Sequence, residues 1–315
     1  MMRTAAIDCG TNSIRLLIAD REDGALTDVV RLMRVVRLGE GVDATGRLSE
    51  AALARTFAAA EEYAALIEAH GNPPLRFVAT SASRDAENRQ VFVDGIRARL
   101  GVEPEVVSGD EEARLSFDGA VSVLATAGDE TVLVVDVGGG STEFVAGTTA
   151  GLIAARSTNM GCVRYTERFL QDDPPTEAQI TAMTAEVGRL VDEAAAEVPL
   201  DRITKIVGVA GSVTTVTAHA LDLPGYRPES IHGAELPITA ISAAASDLLH
   251  LPRAARAALP YMHPGRVDVI GAGALIWASV VERVAAVTDG RVTTAIASEH
   301  DILDGIALSV ADRVG

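Results

Sequence analysis

The sequence predicts an α/β chain made of two copies of one mixed α/β domain, with a cleft between the copies. Three observations carry that expectation. An apolar strand stops at an Asp followed by a Gly and hydroxyl turn at two places, each such turn is followed by two more strands, and a second strand-to-helix turn recurs at nearly the same interval. Asp8 and Asp136 are 128 positions apart (136 − 8), and Ser83 and Ser212 are 129 apart (212 − 83). A long internal period of this kind is the signature of duplication.

Taken in order, Thr4-Ala5-Ala6-Ile7 is a short apolar strand ending at Asp8-Cys9-Gly10-Thr11-Asn12-Ser13. The chain resumes as a second strand over 14–19 and, past a turn at 21–25, as a third over 27–36. Thr131-Val132-Leu133-Val134-Val135 repeats the pattern, ending at Asp136-Val137-Gly138-Gly139-Gly140-Ser141 and continuing through 142–146 and 152–157. Each half then carries apolar residues at spacings of three and four, over 49–69 and 177–196, which predicts a helix. Phe77-Val78-Ala79 and Ile206-Val207-Gly208-Val209 run into small residues that open a further helix, so the pattern is β-β-β-α-β-α, twice. A helix over 108–123 joins the halves, and a last helix over 301–314 is expected to return to the first. The expected domains are 1–120 and 121–300, with 301–315 packing back on the first.

Composition bounds the function. A chain of 315 residues suits two cores, and 48% hydrophobic residues with only 3% aromatics means that burial comes from Ala, Val, Leu and Ile. The net charge of −17 disfavours nucleic-acid binding, which needs a basic surplus to release counterions. It also counts against a polyanionic substrate, unless backbone N–H groups, arginines and a metal hold the anion locally. No apolar run approaches the roughly 18 to 20 residues that span a bilayer, so no membrane association is expected. Cys9 and Cys162 are far apart and match no metal-ligand spacing, which fits free thiols and a cytoplasmic location.

A strand that stops at an aspartate and turns through glycine places a carboxylate at a sheet edge, where a hydrated cation can be held, and lets backbone N–H groups close on phosphate oxygens. Asp8 and Asp136 are therefore candidate Mg²⁺ ligands, directly or through water. Thr11, Asn12 and Ser13 in one turn, and Gly138, Gly139, Gly140 and Ser141 in the other, are candidate phosphate contacts. Glu143 lies two residues past Ser141, on the same strand face, and reads either as a holder of metal-bound water or as a solvated strand residue. Ser108 and Glu111 fit a capping box, with Asp110 favoured by the helix dipole. Glu112 is left over from the cap and is the candidate general base. Arg84, after the small-residue turn 80–83, and Gly211 with Ser212 in the matching turn are candidate anion contacts, a solvated arginine being the alternative for Arg84. Met160, Cys162 and Trp277 read as core, and His232 sits in a loop without a metal spacing.

The combination Asp8-Cys9-Gly10-Thr11-Asn12-Ser13, Ser108-Gly109-Asp110-Glu111-Glu112-Ala113-Arg114 and Asp136-Val137-Gly138-Gly139-Gly140-Ser141-Thr142-Glu143 resembles the Ppx/GppA phosphatase family. Met160 to Arg164, Gly208 to Ser212 and Arg266 to Ile270 look like further family segments, so the likeness covers nearly the whole chain. The resemblance implies two ribonuclease-H-like domains of the actin-like ATPase superfamily with a Mg²⁺ cleft, Mn²⁺ being the alternative metal. It puts the catalytic base on Glu112, the acids flanking the glycine loop on Asp136 and Glu143, and the phosphate-binding arginine on Arg84. The implied activity is release of terminal orthophosphate from inorganic polyphosphate, with guanosine pentaphosphate as the alternative substrate. A homodimer is the expected assembly. Longer family members continue into additional helical domains, which counts against a preference for very long polyphosphate. The rival readings are an actin-like small-molecule kinase and a non-catalytic nucleotide or polyphosphate sensor.

Overall fold

The computed structural model describes residues 2–122, 130–148 and 150–314. In chain order the elements are β1 (Met2–Cys9), β2 (Ser13–Glu22), β3 (Ala25–Val35), α1 (Val42–Thr45), α2 (Glu50–Ala69), β4 (Leu75–Ala79), α3 (Ser81–Asp85), α4 (Arg89–Leu100), β5 (Glu105–Val106) and α5 (Gly109–Val121). They continue as β6 (Val132–Val137), β7 (Thr142–Thr148), β8 (Gly151–Thr158), α6 (Cys162–Phe169), α7 (Glu177–Glu197), β9 (Lys205–Val209), α8 (Ala210–Ala220), α9 (Pro228–Ile231), β10 (Glu235–Pro237), α10 (Ile238–His250), α11 (Arg253–Ala258), α12 (Ile270–Val287), β11 (Thr294–Ala297) and α13 (Ile302–Val314). Two compact units result, one of Met1–Ser122 with Asp301–Gly315 and one of Val123–His300. The helix expected over 108–123 runs to Val121, and its last expected residue, Val123, lies outside the described residues.

In the first unit the sheet order is β3-β2-β1-β4-β5, with the meander antiparallel and β1, β4 and β5 parallel. Both faces are covered, so β1 is a continuous apolar run instead of an alternating one. Ala5, Ile7 and Cys9 pack with Tyr63 and Ile67 of α2 and Phe92 of α4, while Ala6 packs with Leu115 of α5 and Ile306 of α13. Asp8 shares the face of Ala6, because side chains alternate along a strand. The second unit has the order β10-β11-β9-β6-β7-β8, the same arrangement with one short strand added at the parallel edge. Leu133, Val135 and Val137 of β6 join its main core with Val187 and Val191 of α7 and Trp277 of α12. Asp136 lies on the opposite face, with Val132 and Val134.

The register corrects one element of the sequence comparison. Asp8 pairs with Val78 on β4, and Asp136 pairs with Val209 on β9, an interval of 131 (209 − 78) where the aspartates themselves differ by 128. Ser212 therefore corresponds to Ser81, and Ser83 sits two residues further along α3. A second correction concerns apolar length. α12 is an 18-residue helix apolar enough to cross a membrane by length and composition, whereas no such run was expected. Most of it is buried, with Ile276, Trp277 and Val280 in the core of the second unit, as befits a central helix of a folded domain. The capping box at α5 is also only half made. Ser108 accepts from the Glu111 N–H at 3.2 Å, but the Glu111 carboxylate accepts from Arg76 at 3.1 Å.

Helix α13 docks on α5 through two glycines that face each other's backbone. A Cβ on Gly119 would stand 1.9 Å from the Asp301 carbonyl oxygen, and one on Gly305 would stand 1.9 Å from that of Leu115. The close approach places the start of α13 against β1 and β2. Gly305→Ala is expected to lower stability by about 1–3 kcal/mol through overpacking, read as a fall in urea midpoint at unchanged slope. An unchanged midpoint would contradict the tight seam.

Candidate active site

The two Asp turns close the same way. Gly10 N–H donates to the Ser13 carbonyl at 2.9 Å, and Gly138 N–H donates to the Ser141 carbonyl at 3.0 Å. Those two amides hold the turns themselves, so the contribution of Gly138 is to shape the loop.

In the first unit, Thr11 lies against the start of α3, its hydroxyl 2.8 Å from that of Ser81. The Asn12 carbonyl accepts from Val36 N–H (3.0 Å) and Arg37 N–H (2.8 Å), while its side-chain Oδ1 is buried with no hydrogen-bond partner. Arg84, in the last turn of α3, donates through Nη1 to the Val107 carbonyl and to Glu112 Oε2, both at 3.0 Å. The expected anion-binding arginine and the expected base are thus brought together, and Glu112 is only 7% exposed. Asp8 is 4% exposed and faces Arg15 across the β1–β2 ladder. Arg15 donates from Nε (2.9 Å) and Nη2 (2.6 Å) to Asp8 Oδ2, and from Nη1 to Asp301 Oδ2 (2.5 Å). Asp8 Oδ1 is buried without a partner. Burial pushes the Asp8 carboxyl above its ordinary range, against the opposing pull of Arg15.

In the second unit the glycine loop caps α6. Its Gly138 and Gly139 carbonyls accept from Cys162 and Val163 N–H, each at 2.9 Å, and Gly140 O accepts from Arg164 Nε at 2.8 Å. Gly161 is required there, since a Cβ would meet the Gly139 backbone at 2.4 Å. Asp136 and Glu143 are direct cross-strand partners on β6 and β7, both buried, with Glu143 Oε1 accepting from the Ser157 hydroxyl at 2.7 Å. Glu143 is therefore not a solvated strand residue. Its position matches that of Arg15 in the first unit (143 − 15 = 128), so the duplicated site carries opposite charges at one register position.

Gly211 and Ser212 open α8 after Ala210, which holds a left-handed φ of 71°, a strained conformation for a residue with a Cβ. Arg266 lies over this start. A Cβ on Gly211 would come within 2.4 Å of its guanidinium carbon, and its Nη1 donates to Thr215 Oγ1 at 3.2 Å. Its guanidinium also stands 5.9 Å from the ring centre of Tyr226. Nothing in local spacing singled out Arg266, because its partners are about fifty residues away along the chain. Cys9 and Cys162 are free and buried, and Met160 and Trp277 are core, as read from sequence. His232 Nδ1 accepts from the Glu299 N–H at 3.3 Å, and its ring lies 4.9 Å from that of His300.

These residues suit a divalent cation that keeps much of its water. Among the described residues no group of three or more His, Cys, Asp and Glu is set to hold a metal. The buried, unpartnered Asp8 Oδ1 and the cross-strand Asp136–Glu143 pair are the kind of sparse anionic sites that Mg²⁺ uses.

A duplicated α/β fold with a buried acid and a phosphate-type turn in each half defines a phosphoryl-handling enzyme class. The chain belongs to the Ppx/GppA phosphatase family, whose description matches residues 17–310. It is 47% identical over 322 aligned positions to a Mycobacterium tuberculosis protein named Exopolyphosphatase 2, covering 99% of each chain. Among solved structures it resembles an exopolyphosphatase-like protein at TM-score 0.95 and 45% identity, with full coverage of both chains. It also resembles the Aquifex aeolicus family member at TM-score 0.82 and 29% identity, covering 100% of this chain and 99% of that one.

Like charges directly opposite each other on a ladder are destabilising, and a bound cation offsets the repulsion. Glu143→Gln tests whether the pair holds a cation, and it is expected to shrink the rise in thermal midpoint on adding Mg²⁺. Retention of the full Mg²⁺ increment would remove the pair from cation binding.

Proposed function

We propose that this chain is an exopolyphosphatase that releases terminal orthophosphate from inorganic polyphosphate by attack of water, with Glu112 as general base. The observation that carries the reading is Glu112 itself, a carboxylate surplus to the helix cap that is nonetheless buried and bonded to Arg84 at 3.0 Å. A solvated acid of the first helical turn would have no reason to be held there. The high identity to a relative named Exopolyphosphatase 2 supports the same substrate class.

In this reading Arg84 orients the Glu112 carboxylate, which positions the attacking water and accepts its proton. Thr11, Ser13 and the Asn12 side chain in the first unit, and Gly139, Gly140, Ser141, Gly211 and Ser212 in the second, bind phosphoryl oxygens. Arg266, beside the start of α8, adds a guanidinium to that set. The carboxylates fitted to hold Mg²⁺, or Mn²⁺ in its place, are Asp8, Asp136 and Glu143, and the ion would neutralise phosphoryl charge. A shortened polyphosphate is a weak base, so its departure needs no strong acid, and the rate gain rests on positioning and charge neutralisation. Guanosine pentaphosphate is the second substrate to consider, because the partly exposed Tyr226 ring beside Arg266 offers a surface on which a base can stack.

The test is phosphate release from short polyphosphate, long polyphosphate and guanosine pentaphosphate, with and without Mg²⁺ and with no acceptor present. Mg²⁺-dependent release from polyphosphate is expected, whereas release only with an added acceptor would indicate a kinase. Glu112→Gln is expected to lower kcat by about 10² to 10⁴ while polyphosphate binding, followed calorimetrically, persists. Near-normal turnover in that variant would exclude Glu112 as the base.

A further inference from the structure

The hydroxyls at the start of α8 are not alike. Thr214 is bonded to the Tyr226 hydroxyl at 2.9 Å, and Thr215 donates to the Gly211 carbonyl at 2.7 Å. Ser212, 6% exposed, instead meets a side chain of another helix, the Cys162 thiol of α6. The two meet over bare backbone on a third helix. A Cβ on Gly273 of α12 would stand 2.1 Å from Ser212 Oγ and 3.1 Å from the Cβ of Cys162, so only glycine leaves room for both. Cys162 is itself fixed to the glycine loop. Its N–H donates to the Gly138 carbonyl at 2.9 Å, its carbonyl accepts from the Thr166 hydroxyl at 2.6 Å, and it packs with Val163 and Val269. The two anion turns of the second unit are thus joined through Cys162.

We propose that Cys162 is a positioning residue for phosphate binding: its S–H donates to Ser212 Oγ and leaves the Ser212 hydroxyl proton for a phosphoryl oxygen. The proposal rests on the reading of Ser212 as a phosphate contact. A serine hydroxyl has one proton and two acceptor lone pairs, and it rotates to suit its neighbours. Beside a strong acceptor it would spend that proton internally and offer an anion only lone pairs. A protonated thiol is a donor and only a weak acceptor, so the proton of the hydroxyl beside it stays available. Burial pushes the Cys162 thiol above its ordinary range, which keeps the S–H proton in place at neutral pH. Because Cys162 is tied to Gly138, the same contact holds Ser212 in register with the glycine loop.

The test reads KM against kcat for short polyphosphate with Mg²⁺ in the wild type, Cys162→Ala, Cys162→Ser, Ser212→Ala and the double variant Cys162→Ala/Ser212→Ala. Cys162→Ala is expected to raise KM about three- to tenfold. Its kcat is expected to stay within about twofold of wild type, because the lost binding is common to ground and transition states. Cys162→Ser keeps a donor and is expected to restore most of the KM. Ser212→Ala is expected to raise KM at least as much as Cys162→Ala does. In that background Cys162→Ala is expected to add nothing, since the hydroxyl it acts on is gone. The full KM increase on the Ser212→Ala background would mark a merely structural role and overturn the inference. So would a Cys162→Ser enzyme as impaired as Cys162→Ala, or wild-type KM in Cys162→Ala with Ser212→Ala impaired. Wild-type KM in Ser212→Ala would instead remove Ser212 from phosphate binding.

Discussion

Each half of this protein takes an aspartate out of water at the end of its first strand, and a buried carboxylate costs several kcal/mol unless a charge partner is fixed beside it. Position 128 residues on from Arg15 decides how the two halves meet that cost. Arg15 supplies the partner for Asp8 from within the fold. Glu143, at the same register position in the second unit, adds a second negative charge beside Asp136 instead. The two turns close with the same backbone hydrogen bond, and the residue paired with each aspartate carries opposite charge in the two units.

The packing exists to hold these groups still. Strands β1 and β6 are covered on both faces, so neither turn can shift without exposing a core strand. Gly119 and Gly305 let α13 approach α5 closely enough for Asp301 to reach Arg15. Gly161 does the corresponding work in the second unit, letting the Gly139 backbone rest against the start of α6. Small residues at these seams convert close helix approach into fixed side-chain positions, which is what a phosphoryl-transfer site requires.

Much of this was legible in the chain. The meanders, the two Asp turns and the surplus acid Glu112 follow from alternation, turn chemistry and capping rules, all of which act within a few residues. What escaped depends on partners distant in sequence. The equivalence of Ser212 with Ser81 is set by pairing with β1 and β6, and small insertions between the strands shift the apparent interval. Glu111 looked like half of a capping box because its rival partner, Arg76, lies on strand β4, far away in sequence. Glu143 was ambiguous because burial of a strand face depends on what covers it. Arg266 stood only at the head of a family-like segment, and its contact with Gly211 and Thr215 gave no local signal.

In the proposed reaction water, not an acceptor molecule, attacks a terminal phosphoryl group. Hydrolysis of polyphosphate by the wild-type protein in ¹⁸O-enriched water, with Mg²⁺ and mass analysis of the products, tests it most directly. One solvent oxygen in each orthophosphate released is expected, with chains that shorten from the end. Orthophosphate without solvent oxygen, or no release until a phosphoryl acceptor is added, would contradict it.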